Sequence, residues 1–331
     1  MNKVYKFHNS AVKLIPFDNF LLDRLKPKKR TVRPAAKEGT VIVHCYKPNE
    51  KTIEELSKIL EMEIQEVKEL LEEGVRPRIE LDDAGNLIIV YRAPFYEEVD
   101  EIVTAPVSFL IKGKVLFIIS NHKITSIDRI FKKLEMGRKT FLFKRHIGYA
   151  LYYFLDKIND EYIYIMNKIA DSSELIKEKD AKLTRKSIEH IDSLNTTLIY
   201  FNRSLLGNAE VATMLKKSQF PALRKFNREY FADLYFDSLQ LLDTEKIQRD
   251  VITSMFNFQN ALSSYELNRF MKRLTTLAVI IAIPTLLTSA YGMNFKVIPL
   301  QNHPYGFYIT TFVIFLLTIP AIYIFKKLDN I

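Results

Sequence analysis

The rhythm of apolar and polar positions changes twice along this chain. Between residues 40 and 137, short apolar runs alternate with turn signals. Residues 40–48, Thr-Val-Ile-Val-His-Cys-Tyr-Lys-Pro, read as a strand. Thr52-Ile53-Glu54-Glu55 has the form of a capping box and predicts two short helices from there to Glu73-Gly74. Arg78–Leu81 and Leu87–Tyr91 flank Asp82–Asn86, and Ala105–Ile111 and Val115–Ser120 flank Lys112–Lys114. Both are hairpin signals. A helix from about Ser126 to Met136, stopped at Gly137, completes a small α/β unit with a largely antiparallel sheet.

Beyond residue 137 the strands stop. No glycine occurs between Gly148 and Gly207, and no proline between Pro106 and Pro221. This predicts an antiparallel helical pair over 138–220, with a turn near Asp171–Ser173 or Lys177–Asp180. Residues 222–283 then hold 62 positions without glycine or proline. Ile247, Val251, Met255, Phe258, Leu262 and Tyr265 recur at steps of four and three, which is one apolar helical stripe. A single helix from about 222 to 292 would be roughly 105 Å long, the length of a stalk.

The last change is the sharpest. Residues 274–325 contain one charged side chain, Lys296. Leu274–Tyr291 and Gly306–Phe325 are uncharged runs of 18 and 20 residues, each about long enough to cross the hydrocarbon core. Arg269, Lys272 and Arg273 precede the first run, and Lys326 and Lys327 follow the second. By the positive-inside rule both ends face the cytoplasm. The chain therefore divides into a basic arm (1–39), an α/β domain (40–137), a helical region (138–220), a stalk (221–273) and two spans (274–292 and 306–325). A loop (293–305) joins the spans, and a short tail (326–331) ends the chain.

Composition adds limits. One cysteine, Cys45, excludes a disulfide framework and reads as a buried inert thiol. The net charge is +9, and residues 1–34 supply +7 of it, from nine Lys or Arg against two Asp. The run Lys26–Arg30, with Arg33, reads as a solvated arm; no nucleic-acid motif accompanies it. No apolar run of seven follows Met1–Lys13, so no secretory leader is expected. Walker, GxGxxG, HExxH and CxxC patterns are absent, so neither an enzyme nor an organic cofactor is expected.

On the first span, Thr275, Ala278, Ala282, Thr285 and Ser289 form a small, partly polar seam in phase with Asn268 and Met271. Such a seam serves close helix packing or a pore wall, and spacing leaves both open. At its end stands Tyr291-Gly292-Met293-Asn294-Phe295. This resembles the GMN signature of the CorA-type divalent-cation channels. Asn268–Thr275 resembles that family's approach to the membrane, and Ile283-Pro284-Thr285 its mid-span proline. Tyr230–Asp233 resembles the start of its stalk segment, and Arg76–Glu80 part of its cytoplasmic domain. The resemblance covers residues 40–331.

The resemblance implies an α+β cytoplasmic domain, a long helical stalk and two C-terminal spans, assembled as a funnel-shaped homopentamer in a cell (inner or plasma) membrane. It implies uptake of hydrated magnesium, with cobalt and nickel, down the electrochemical gradient. Gly292, Met293 and Asn294 would form the selectivity filter, with Gly292 in a conformation other residues resist. Asn268, Met271, Leu274, Thr275, Ala278, Ala282, Thr285 and Ser289 would line the pore. Asp233 and Glu69 are the implied regulatory magnesium site, although the family's aspartate is missing near Glu69. Arg269, Lys272, Arg273, Lys326 and Lys327 form a basic collar, whose plainest role is to anchor the helices in the membrane lipid. The alternative reading of Gly-Met-Asn is a helix cap with a left-handed glycine or asparagine. The loop also departs from the family: Phe295-Lys296-Val297-Ile298-Pro299-Leu300 carries a lysine and lacks the usual acid. A zinc transporter of the same fold, or a non-conducting membrane-anchored regulator, are the alternatives.

Overall fold

Seven strands make one mixed sheet in the computed structural model. It describes residues 2–8, 11–16, 40–97, 102–179, 184–217, 220–224, 226–294 and 296–328. The strands are β1 (Asn2–His8), β2 (Ala11–Pro16), β3 (Val41–Tyr46), β4 (Arg78–Leu81), β5 (Leu87–Tyr96), β6 (Ile102–Lys112) and β7 (Val115–Ser120). Their order is β2-β1-β3-β7-β6-β5-β4. Only the β3–β7 pairing is parallel, so the expectation of a largely antiparallel sheet holds.

Both faces of the sheet are covered, which explains the near-continuous apolar runs of β5, β6 and β7. On one face Val4, Val43, Cys45, Val90, Leu110 and Phe117 pack with Leu56, Leu60, Val67 and Leu70. These last four come from α1 (Glu50–Leu60), α2 (Ile64–Glu69) and the turn after α2. The opposite face is lined by alternate residues of the same strands, among them Ile42, Tyr91 and Phe109, all fully buried. There the sheet meets α3 (Thr125–Glu135), α5 (Ile147–Lys179) and α6 (Arg185–Lys217); α4 (Phe141–Lys144) is a single turn between them. Phe131 and Phe154 bridge α3 and α5 at 5.5 Å between ring centroids. Burial pushes the Cys45 thiol up to about 12, as an inert thiol requires.

Four local expectations are corrected. Residues 2–8 and 11–16 of the basic arm are sheet strands, because Val4 and Tyr5 have apolar faces to bury; the basic run at 26–33 lies outside the described residues. Helix α1 begins at Glu50, not Thr52. Asn49 caps it, its Oδ1 accepting from the Thr52 backbone N at 3.0 Å and the Thr52 hydroxyl at 2.7 Å. Asp171–Ser173 makes no turn, since the buried Ser173 hydroxyl donates to the Ile169 carbonyl at 2.8 Å and the helix continues to Lys179. The long helix starts later than residue 222. Pro221–Leu223 forms a 3-10 turn, and Asn227 Oδ1 accepts from the Glu229 backbone N at 3.1 Å to open α7 (Glu229–Tyr291).

One hub ties the sheet to the helices. The Arg92 guanidinium donates to the carbonyls of Glu73 (2.7 Å), Val75 (3.0 Å) and Thr104, and to the Thr104 hydroxyl. Asn208 of α6 bonds both backbone groups of Arg92, at 2.9 and 2.8 Å, and the Tyr162 hydroxyl of α5 donates to the same carbonyl. Beside it Pro77 presses on Gly207 of α6. A Cβ on Gly207 would lie 2.7 Å from Pro77 Cγ, and neither the ring nor the helix backbone yields easily. Gly207→Ala is therefore expected to cost about 1–3 kcal/mol, read as a lowered thermal midpoint of the purified protein.

The chain forms two compact units, Met1–Thr253 and Ser254–Ile331. The second holds the C-terminal part of α7, the connecting loop and α8 (Gly306–Leu328). Two helices, Glu229–Tyr291 and Gly306–Ile324, contain stretches long and apolar enough to cross a membrane, and none of those stretches is buried.

Candidate functional site

The second unit sorts its side chains by face. On α7 the partly covered positions between residues 274 and 291 are Thr276, Ile280, Ile283, Pro284 and Leu287. At 100° per residue these form one stripe. The seam of Thr275, Ala278, Ala282, Thr285 and Ser289 lies about 180° away, and every member is exposed. On α8 the partly covered positions are Thr310, Thr311, Ile314 and Thr318, again one stripe. Each span thus has one face partly covered within its own unit and others left open. Leu286, Phe307 and Phe312 are 72%, 77% and 66% exposed, an apolar surface that needs lipid or another chain.

Six threonines of the spans are self-satisfied. Thr275 and Thr285 donate to the carbonyls of Met271 (2.9 Å) and Ile281 (2.8 Å), and Thr288 to those of Pro284 and Thr285. Thr310, Thr311 and Thr318 do the same on α8. Each proton is consumed by the backbone, as a low-dielectric setting demands. The seam hydroxyls of Thr275 and Thr285 therefore have only lone pairs to offer, and lone pairs accept from water protons.

At Gly292 the helix closes by tightening. The Gly292 backbone N donates to the carbonyls of Thr288 (3.0 Å) and Ser289 (3.1 Å), and that of Met293 to Ala290 (3.4 Å). Neither Gly292 nor Asn294 has a positive φ, so the left-handed cap does not form. The special conformation expected of Gly292 is likewise absent. A Cβ there would meet the two carbonyl oxygens at an ordinary 3.5 Å. Nothing among the described residues of one chain demands glycine at 292. Met293 is 53% exposed, and the exposed Asn294 amide has no hydrogen-bond partner among the described residues.

The rest of the loop is tightly turned. Gln301, His303 and Gly306 donate backbone bonds to Ile298, Leu300 and His303 at 3.2, 3.1 and 2.9 Å. Leu300 adopts φ 67°, and a Cβ on Gly306 would collide with its carbonyl oxygen. Here glycine is obligatory, for close approach rather than for a positive φ. Phe295 lies outside the described residues.

Asn268, Met271 and Leu274 continue along α7 and are exposed, as are Arg269, Lys272 and Arg273 of the collar. Lys326 and Lys327 lie near the end of α8. Asp233 is exposed near the start of α7, and Glu69 is exposed at the end of α2. No group of three or more His, Cys, Asp or Glu side chains, with or without Asp233 and Glu69, is placed to hold a metal among the described residues. The Asp233 carboxylate acts instead on Asp237. Burial first, then the charges of Asp156, Asp233 and Asp160, push the Asp237 carboxyl up. Sequence reading missed this acidic group, although Asp156/Asp160 and Asp233/Asp237 each sit at i,i+4. Lys157 bonds both Asp156 and Asp160 and partly neutralises them.

Comparison with known proteins bears on the whole chain. The family described as "CorA-like Mg2+ transporter protein" matches residues 37–327. The cobalt/magnesium transport protein CorA of Methanocaldococcus jannaschii is 33% identical over 90% of this chain and 98% of its own length. The cobalt/magnesium transport protein CorA of Thermotoga maritima is 24% identical over 79% of this chain and 74% of its own. The complete structure of the CorA magnesium transporter from Methanocaldococcus jannaschii superposes with a TM-score of 0.84 at 30% identity. That match covers 99% of this chain and 98% of the other. With the α+β sheet, the long helix and two apolar C-terminal helices, this chain belongs to the CorA-like Mg2+ transporter family.

Proposed function

We propose that five copies of this chain form a channel that admits hydrated magnesium, with cobalt and nickel, into the cytoplasm. The family's members are transporters or channels rather than enzymes. The observation that carries the finer reading is the GMN end of α7, where an exposed amide without a partner among the described residues terminates a helix whose small polar seam is uncovered.

In this reading five Asn294 side chains ring the outer mouth. Magnesium gives up its water reluctantly. Amide oxygens that accept hydrogen bonds from that water hold the ion without stripping it. The seam, including the threonine lone pairs, continues the water-compatible lining inward. Neither span contains Asp or Glu, which suits an ion that keeps its hydration shell. Met271 and Leu274, 52% and 46% exposed, supply an apolar constriction that gates by dewetting. The collar keeps both ends of the hairpin at the cytoplasmic interface. Asp233 of one subunit and Glu69 of the next would share the regulatory magnesium.

Lys296 and Leu300 favour a second reading, zinc transport, because the loop lacks the acid that would concentrate magnesium. Flux into liposomes under an inside-negative potential separates the two. Magnesium entry is expected from the pentamer. Zinc entry without magnesium entry would move the function to zinc. No flux of either ion from an intact pentamer, with internal magnesium removed, would leave a membrane-anchored regulator.

A further inference from the structure

The Arg76-Pro77-Arg78 segment lies in the first unit, away in sequence from both spans and the GMN loop. It forms one wall of a cleft of about 650 Å³ in the first unit, between the 73–77 loop, the β5 and β6 strands and α6. The Pro77–Gly207 contact and the Arg92 hub hold these walls together. Arg78 pairs with Glu80 at 2.9 Å. Arg76 and Arg203 also line the cleft; both are exposed, and neither has a hydrogen bond or ion pair among the described residues. Arg92 adds a third guanidinium. Its protons are spent on backbone carbonyls and the Thr104 hydroxyl, but its charge remains; burial first, and also the nearby Arg203 charge, work against it.

Three guanidiniums converging on one cavity, two of them with free forks, match phosphate oxygens in charge and geometry. The cleft also offers planar faces. Tyr200 is 43% exposed, and the Phe95 and His122 rings pack at 4.2 Å between centroids, tilted by 36°. Carboxylates line it too. Glu73 faces His122 at 3.4 Å, while Glu97 and Glu210 are exposed. A bare anion would be repelled by these acids, whereas a phosphate carrying a divalent cation satisfies both signs. The volume suits a ligand of nucleotide size. We propose that this cleft binds a nucleoside polyphosphate with its chelated magnesium, the phosphates on Arg76 and Arg203 and the base against Tyr200.

The site stands independently of the transport reading. The test is a fluorescence titration of the full-length protein in detergent with N-methylanthraniloyl-ATP and magnesium, with unlabelled ATP, inorganic triphosphate and adenosine as competitors. Saturable binding is expected, weakened about tenfold or more by Arg76→Ala and by Arg203→Ala. Both side chains are exposed and have no hydrogen bond or ion pair among the described residues, so thermal unfolding should not change. Arg203→Lys keeps the charge and loses the fork, and should fall between. Tyr200→Ala should weaken ATP and leave triphosphate unaffected. No saturable binding at millimolar nucleotide, or binding indifferent to both arginines, overturns the site. Triphosphate competing as well as ATP overturns the nucleoside assignment.

Discussion

Asn294→Ala is expected to lower magnesium influx into liposomes by about a hundredfold while leaving the assembly intact. The amide is exposed and bonded to nothing among the described residues of its own chain, so its removal costs the fold little. In a five-fold ring the same change deletes five acceptors at once. Each net hydrogen bond contributes about 1 kcal/mol, and about 3 kcal/mol lost at the ion's entry site is already a hundredfold. Influx is measured with an internal magnesium-sensitive dye, and assembly by native mass spectrometry. Wild-type influx from an intact Asn294→Ala pentamer would remove Asn294 from the selectivity site and leave Gly292-Met293-Asn294 as a helix terminator.

The second large effect is on stability. His44 lies on β3, 8% exposed, with its ring stacked on Phe131 at 4.1 Å and 11°. Burial, then the positive charge of Lys3, lower its pKa from 6.5 to about 3; Glu135 opposes this weakly. The folded state thus holds His44 neutral, while the unfolded chain takes up a proton below 6.5. Its contribution is fully present above pH 6.5 and is lost as pH falls toward 3. About 2 kcal/mol should disappear between pH 6.5 and 4.5, and about 4 kcal/mol by pH 3. Glu135 adds in the same sense only at lower pH. Its carboxyl is held low chiefly by the Lys3 ammonium at 2.7 Å. Glu161 and Asp237, whose carboxyls burial pushes up, act in the opposite sense. Chemical denaturation at pH 6.5 and 4.5 should show a loss that His44→Gln reduces. An equal loss in the variant would refute the assignment.

Much of this protein is legible in its sequence. The two spans can be read because uncharged runs of 18 and 20 residues, flanked by lysine and arginine, rarely belong to a soluble core. The hairpins at 82–86 and 112–114 can be read because their turns carry local chemistry. The places where reading fails share a cause. The Asn49 cap and the Asn227 start are hidden because several polar residues near each end could serve. Strands β1 and β2 are hidden because charge dominates residues 1–34, while the burial of Val4 and Tyr5 depends on β3, some forty residues away.

The functional residues divide the same way. Gly292-Met293-Asn294 stands out by motif and by its position at the end of an apolar run. The seam is visible as a 3–4 repeat, but periodicity leaves packing and pore wall equally open. The fold adds that the partly covered stripe of α7 lies on the far side from the seam, which leaves the seam open within its own unit. The cleft of Arg76, Arg92 and Arg203 has no linear signature, because its parts come from a loop, a strand and a helix, the last of them more than a hundred residues further along the chain.

By itself, the sequence determined the membrane hairpin, the long helix and the family motif, since hydropathy, helical period and a short signature act over neighbouring residues. The tertiary structure alone decided which side of the first span is left open, why Gly207 and Gly306 must be glycine, and where unpaired guanidiniums converge. Those depend on close approach between separate segments of the chain, and close approach is a property of packing.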